Sequence, residues 1–244
     1  MKLDILAIGV HPDDVELACS GTLIASVLQQ KKVGIVDLTA GELGTRGTPE
    51  QRILESQNAA KIMGIAVREN LFLRDGFFRN EEQRAMQKII AAIRKFQPEI
   101  VLANAMQDRH PDHGRAGKMI AECCFYAGLR KIETKDEHEN LQNAWRPKQV
   151  LHFIQDRYFE PNLVLDISSH FEQKMKSILA YESQFYNPNS TEPSTYISSP
   201  IFMEGIKSRA MQFGKLIGVE FGEGFTTFNP VGIQDLSALV GGLS

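Results

Sequence analysis

The stretch from Leu3 to Glu16, Leu-Asp-Ile-Leu-Ala-Ile-Gly-Val-His-Pro-Asp-Asp-Val-Glu, decides the fold. Its first part, Leu3 to Val10, is an apolar run with one acid near its start. Such a run reads as a strand covered on both faces, as in a parallel sheet. His11-Pro12-Asp13-Asp14 cuts it off, and apolar residues at helical spacing follow from Val15 to Gln30, so a first strand feeds a first helix. The alternation recurs. Val33 to Thr39 is a second strand. Thr48-Pro49-Glu50 opens a helix, with Thr48 as N-cap and Pro49 at the first helical position, and Gly64 ends it after Met63. Asn70 to Leu73 is a short third strand, Glu81 to Phe96 a helix, Glu99 to Ala103 a strand and His113 to Tyr126 a helix. Further strands are expected at Gln149 to Ile154 and Leu163 to Ile167, and helices at Ser168 to Glu182 and Pro200 to Ile217. The fold class is therefore α/β: a single-domain, Rossmann-like, parallel-majority sheet with helices on both faces, one domain over residues 1–244. Gly9 leads directly into His11, so no G-x-G-x-x-G follows the first strand, which argues against a dinucleotide site.

Composition works by exclusion. A chain of 244 residues, 43% hydrophobic, can bury one large core. Its 27 basic and 30 acidic residues leave a net charge of −3, so nothing electrostatic favours a nucleic-acid partner. Cys19, Cys123 and Cys124 form neither a disulfide framework nor a CxxC metal pair and read as buried thiols in a reducing compartment. The apolar run before His11 is too short for a signal-peptide core. No stretch approaches the ~18 apolar residues of a membrane span. The expectation is a cytoplasmic protein with no membrane partner. Two segments read as mobile loops, Ala40 to Gly47 with three glycines and Asn187 to Pro200 rich in Asn, Ser, Thr and Pro. Loops at the carboxyl ends of parallel strands are where such folds place ligands.

Two constellations carry chemistry. His11-Pro12-Asp13-Asp14-Val15-Glu16 follows the first strand, and Asp108-Arg109-His110-Pro111-Asp112-His113 follows the strand Glu99 to Ala103. The chain has six histidines, and three of them fall in these two motifs. His138, His152 and His170 lack such company and read as surface or structural. Histidines and carboxylates crowded at a crevice are costly unless paired or bound to a metal. Catalytic zinc takes three protein ligands and keeps one position open. A neighbouring carboxylate can then act as general base, a further histidine can stabilise an oxyanion or protonate a leaving group, and an aspartate on that histidine can fix its tautomer and raise its pKa. The chemistry is metal-assisted hydrolysis of an amide or ester. Spacing leaves open which aspartate binds and which acts as base.

The pair of motifs, a strand followed by H-P-D-D and a later H-P-D-H, resembles the hallmark of the LmbE-like, or PIG-L, de-N-acetylase family. The resemblance continues through Tyr181-Glu182-Ser183-Gln184-Phe185 and Glu223-Gly224-Phe225, and it looks nearest to the deacetylases of bacillithiol biosynthesis. It implies His11, Asp14 and His113 as ligands of Zn2+, with Fe2+ the alternative metal. It implies Asp13 as general base, and His110 as charged partner of the transition state, oriented by Asp112. Arg52 matches an arginine assigned to substrate contact, against a plain reading as a solvated helix residue. Two positions depart from relatives: Asp108 stands where some place an aromatic hydroxyl, and Gln149 stands near where some carry an arginine. The implied reaction removes the acetyl group of a small amino-sugar substrate, N-acetylglucosaminyl malate foremost, in a homo-oligomer. The competing readings are the same hydrolysis on a chitooligosaccharide or thiol conjugate, an iron oxygenase of the two-histidine, one-carboxylate type, and a non-catalytic sugar-binding module.

Overall fold

In the computed structural model, which describes residues 1–233, 235 and 236, the strands are β1 Ile5–Gly9, β2 Val33–Thr39, β3 Val67–Leu73, β4 Ile100–Asn104, β5 Gln149–Phe153, β6 Leu163–Asp166 and β7 Gly222–Thr226. The helices are α1 Asp14–Leu28, α2 Pro49–Met63, α3 Glu82–Phe96, α4 Pro111–Ala127, α5 Phe171–Leu179 and α6 Pro200–Leu216. All seven strands lie in one sheet, in the order β3-β2-β1-β4-β5-β7-β6. The first five of these run parallel, and β7 pairs antiparallel with both β5 and β6. The α/β reading holds.

Alternation in β1 sends Leu6 and Ile8 to one face and Ile5 and Ala7 to the other. The first pair packs with α3 and α4 through Ile89, Ile93, Ile120 and Cys123. The second packs with α1, α2, α5 and α6 through Leu23, Met63, Ile178 and Ile206. Every residue of β1 and β2 is buried, as continuous apolar runs require in a sheet covered twice. The three cysteines are free and buried. Among the described residues no helix is long and apolar enough to cross a membrane.

Three elements differ from the sequence reading. β3 starts at Val67, not Asn70, because the charge that disguises it is neutralised. Arg68 donates to Asp37 at 2.7 and 2.8 Å and also meets Glu16. The segment Ser168 to Glu182 divides into a 3-10 turn, Ser168–His170, and α5, which stops at Leu179. Strand β7 was not anticipated. Gly222 and Gly224 weaken the strand pattern, yet close approach requires them: a Cβ on Gly224 would sit 2.9 Å from the Phe213 ring of α6.

The strand order reverses direction at β1. From there the chain winds outward to β2 and β3 on one side and to β4 and β5 on the other. Such a switch point opens a crevice at the strands' carboxyl ends. The two motifs leave from β1 and β4, which are hydrogen-bonded neighbours.

Candidate active site

The turn after β1 doubles back tightly. A Cβ on Gly9 would meet the Asp14 Cβ at 3.1 Å, so glycine lets the turn close over the strand end. Asp13 adopts φ 122°, ψ −24°, a conformation sparsely populated by non-glycine residues and most often kept where a site needs it.

Asp14 is held from all sides. Its Oδ2 accepts from the amides of Val10 and His11 at 3.0 and 3.1 Å and from Asn104 Nδ2 at 3.0 Å. Its Oδ1 accepts from Gln155 Nε2 at 2.8 Å and lies 3.1 Å from His113 Nε2. Burial alone would raise its carboxyl, but His113, His11 and Gln155 outweigh burial and hold it well below the usual carboxylate range.

His113, in the first turn of α4, is bracketed by carboxylates, with Asp14 at Nε2 and Asp108 Oδ2 2.6 Å from Nδ1. Burial opposes its protonation, but Asp14 and Asp108 prevail and push it up to about 10. His11 is arranged alike. Its Nε2 lies 2.9 Å from Asp75 Oδ1, and its Nδ1 faces Asp14 Oδ2 at 3.9 Å. Each imidazole thus turns one nitrogen toward Asp14 and anchors the other on a separate carboxylate. This is how metal-binding histidines are oriented.

His110 caps α4. Its ring centroid lies 4.9 Å from that of His11 and 5.1 Å from that of His113, and the three imidazoles form one cluster of donor atoms. The His110 Nδ1 accepts from the Asp112 amide at 3.3 Å. A backbone N–H can only donate, so the neutral ring carries its proton on Nε2. This corrects one expectation: the Asp112 carboxylate does not hold His110. It accepts instead from the Gly76 amide at 2.9 Å and Arg115 at 2.8 Å. Nor is His110 shifted upward, since burial, together with His11 and His113, lowers it.

Arg52 is not a solvated helix residue. It is 5% exposed, and its guanidinium donates to Asp13 Oδ2 at 3.0 Å, to the Pro12 carbonyl at 2.9 Å and to the Gly41 carbonyl at 3.2 Å. Burial still pushes the Asp13 carboxyl up to about 7, against the pull of Arg52. Glu16 is spent on structure: it is fully buried between Arg68 and the Tyr181 hydroxyl.

These side chains open onto one cavity of about 330 Å³, within the usual range for small-molecule sites. His11, Asp13, Asp14, Arg52, His110 and His113 all line it, and Asp112 does not. The Ala40–Gly47 loop contributes Leu43 to Arg46, and Thr195, Tyr196 and Ile197 close another side. The two loops are tied to each other: Arg46 donates to Ser190 at 2.8 Å, and Gln184 Nε2 donates to the Arg46 carbonyl at 2.7 Å. Sequence reasoning missed Asp75, Asn104 and Gln155 as supports of this site, and it placed Asp108 in the second constellation without giving it a role. Their common signal is position, since each lies at or just beyond the carboxyl end of a parallel strand.

A profile of the GlcNAc-PI de-N-acetylase family, PIG-L, matches residues 6–124, which hold both motifs. The diacetylchitobiose deacetylase of Thermococcus kodakarensis is 27% identical over 234 residues, covering 90% of this chain and 81% of that protein. A probable N-acetyl-alpha-D-glucosaminyl L-malate deacetylase 2 of Bacillus anthracis is 23% identical over 193 residues, covering 74% of this chain and 81% of that protein. The crystal structure of the conserved protein TT1542 from Thermus thermophilus superposes with a TM-score of 0.81 at 32% identity, covering 96% of this chain and 98% of that one.

Proposed function

We propose that the chain is a de-N-acetylase of the PIG-L, or LmbE-like, type, which it resembles over residues 6–124, and that it hydrolyses the acetamide of a small N-acetylglucosamine derivative at a metal held by His11, Asp14 and His113. The observation that carries this reading is the convergence of His11 Nδ1 and His113 Nε2 on Asp14, with the far nitrogen of each ring fixed on Asp75 or Asp108. Two imidazoles and one carboxylate, oriented from behind, match a catalytic zinc ligand set with a position left open. Fe2+ suits the same donors. When bound there, the metal supplies Lewis acidity to the acetamide carbonyl and to water.

The chain's own groups supply the proton transfers. Asp13 takes the proton of the attacking water, and Arg52 holds the carboxylate in place through one of its oxygens. His110, with its proton on Nε2, donates toward the carbonyl oxygen as charge develops there. Asp13 then returns that proton to the sugar nitrogen as the C–N bond breaks, so the amine and acetate leave and the carboxylate is free again. Arg52, which lines the cavity, also offers a donor to the sugar.

The substrate we favour is N-acetylglucosaminyl malate, on the similarity to the B. anthracis protein. The wider match to the T. kodakarensis enzyme supports a second reading, a short chitooligosaccharide. The test is an amine-release assay on both substrates, before and after chelation and metal restoration. Chelation should abolish turnover and Zn2+ restore it. His11→Ala and His113→Ala should lose most bound metal by elemental analysis while circular dichroism stays native. Parental metal content in both variants would rule out this ligand set.

A further inference from the structure

Ion pairs account for most of the charge that lines the cavity. Arg52 meets Asp13 at 3.0 Å, His113 meets Asp14 at 3.1 Å, His11 meets Asp75 at 2.9 Å, and Arg109 meets Asp156 at 2.6 Å. Arg46 is the exception. It lines the same cavity and is 5% exposed, yet among the described residues no ion pair includes it. Its guanidinium hydrogen bond goes to a neutral acceptor, the Ser190 hydroxyl at 2.8 Å, and its Nε is buried with no acceptor at all.

A guanidinium cannot shed its proton to escape burial. Buried at 5% exposure without a counter-ion, it is an uncompensated cation. Its neighbours show that it is held in place. The Arg46 carbonyl accepts from Gln184 at 2.7 Å, and the next amide, that of Gly47, donates to Glu192 at 3.2 Å. A fixed, desolvated, half-satisfied guanidinium facing a substrate cavity is a preorganised anion receptor.

We infer that Arg46 is the specificity-determining residue of this site and that it receives a carboxylate carried by the aglycone of the substrate. This rests on the reading of the site as a de-N-acetylase. A carboxylate presents two coplanar oxygens, the number that one guanidinium fork can pair. A phosphate monoester presents three strong acceptors on one group, more than Arg46 alone can satisfy.

The experiment compares three N-acetylglucosaminides on the metal-loaded full chain: the methyl glycoside, one with a hydroxy-acid aglycone and one with a phosphate-bearing aglycone. Turnover is read by amine release and binding by calorimetry. The parent should favour the carboxylate substrate. Arg46→Gln should lose about ten- to a hundredfold in kcat/KM on that substrate, and less than about threefold on the methyl glycoside. Arg46→Lys should keep part of the preference, and it covers the case in which Arg46→Gln fails to fold. An equal loss on both substrates would reduce Arg46 to a loop tie and overturn the inference, as would a parent indifferent to the carboxylate or one that prefers the phosphate. If no glycoside is hydrolysed but the Arg46-dependent preference persists in binding, the hydrolytic reading fails and the carboxylate receptor stands.

Discussion

At the scale of single residues, the site depends on groups held in conformations they would not choose alone. Asp13 sits at positive φ and shares one carboxylate oxygen with Arg52. Asp13→Asn preserves shape and contact with Arg52 but cannot accept a proton from water. Turnover should fall by about 10²- to 10⁴-fold with metal content unchanged; near-parental kcat would remove Asp13 from the mechanism. Asp108 acts one step further out. Its Oδ2 lies 2.6 Å from His113 Nδ1, and its Oδ1 accepts from the Arg157 amide at 2.8 Å. Asp108→Asn should weaken metal affinity by about 10- to 100-fold. Competition with a chelator of known affinity measures this, and an unchanged Kd would mean that Asp108 only fastens the loop.

At the scale of elements, what was legible in the sequence is what local pattern controls. Strands β1, β2 and β4 announce themselves by unbroken apolar runs, and the caps at Thr48 and Gly64 bound α2 as read, with Thr48 Oγ1 accepting from the Gln51 amide at 3.2 Å. The two motifs were visible because both lie at strand ends. The residues that escaped notice owe their roles to neighbours distant in sequence. Asn104 and Gln155 are unremarkable amides until β1, β4 and β5 line up and point both at Asp14. Strand β7 was hidden by glycines that only the packing of α6 explains. Helix α4 shows the same logic. A Cβ on Gly117 would lie 2.6 Å from the Asn104 carbonyl and 2.7 Å from that of Ala105, so glycine lets α4 press against the end of β4. Gly117→Ala should force the helix outward and cost roughly 1–3 kcal/mol of stability. It should also weaken metal binding, because His113 lies one turn away on the same helix. Urea unfolding and metal affinity measured together test this, and a variant that matches the parent in both would show that the contact relaxes freely.

At the scale of the whole molecule, the beginning of the fold is fastened to its end. Glu223 on β7 accepts from the amides of Gly21 and Thr22 at 3.0 and 2.7 Å and from the Thr22 hydroxyl at 2.6 Å. It also meets Lys174 of α5 at 2.8 Å. Lys174 is 2% exposed and donates as well to the carbonyls of Glu16 and Leu17. Lys174→Met should leave Glu223 charged and buried and destabilise the fold by about 3–5 kcal/mol. Chemical denaturation measures this loss, and a change below about 1 kcal/mol, the range of exposed pairs, would show that water reaches the pair.

The position of β7 also sets a timetable for synthesis. It is the last strand of the described chain to leave the ribosome, yet it lies between β5 and β6 and is the strand on which β6 is paired. Until residue 226 has been made, β5 offers an open edge, β6 has no neighbour, and Lys174 has no anion. The parallel half that carries both histidine motifs is complete in sequence about seventy residues earlier, and domains often begin folding as they emerge. A nascent chain therefore passes through a stage in which the strand ends that carry both motifs can align while the far side of the sheet stays unpaired. Unpaired strand edges recruit other chains, so the growing polypeptide is most exposed to aggregation, and most in need of a chaperone, in the interval between β6 and β7.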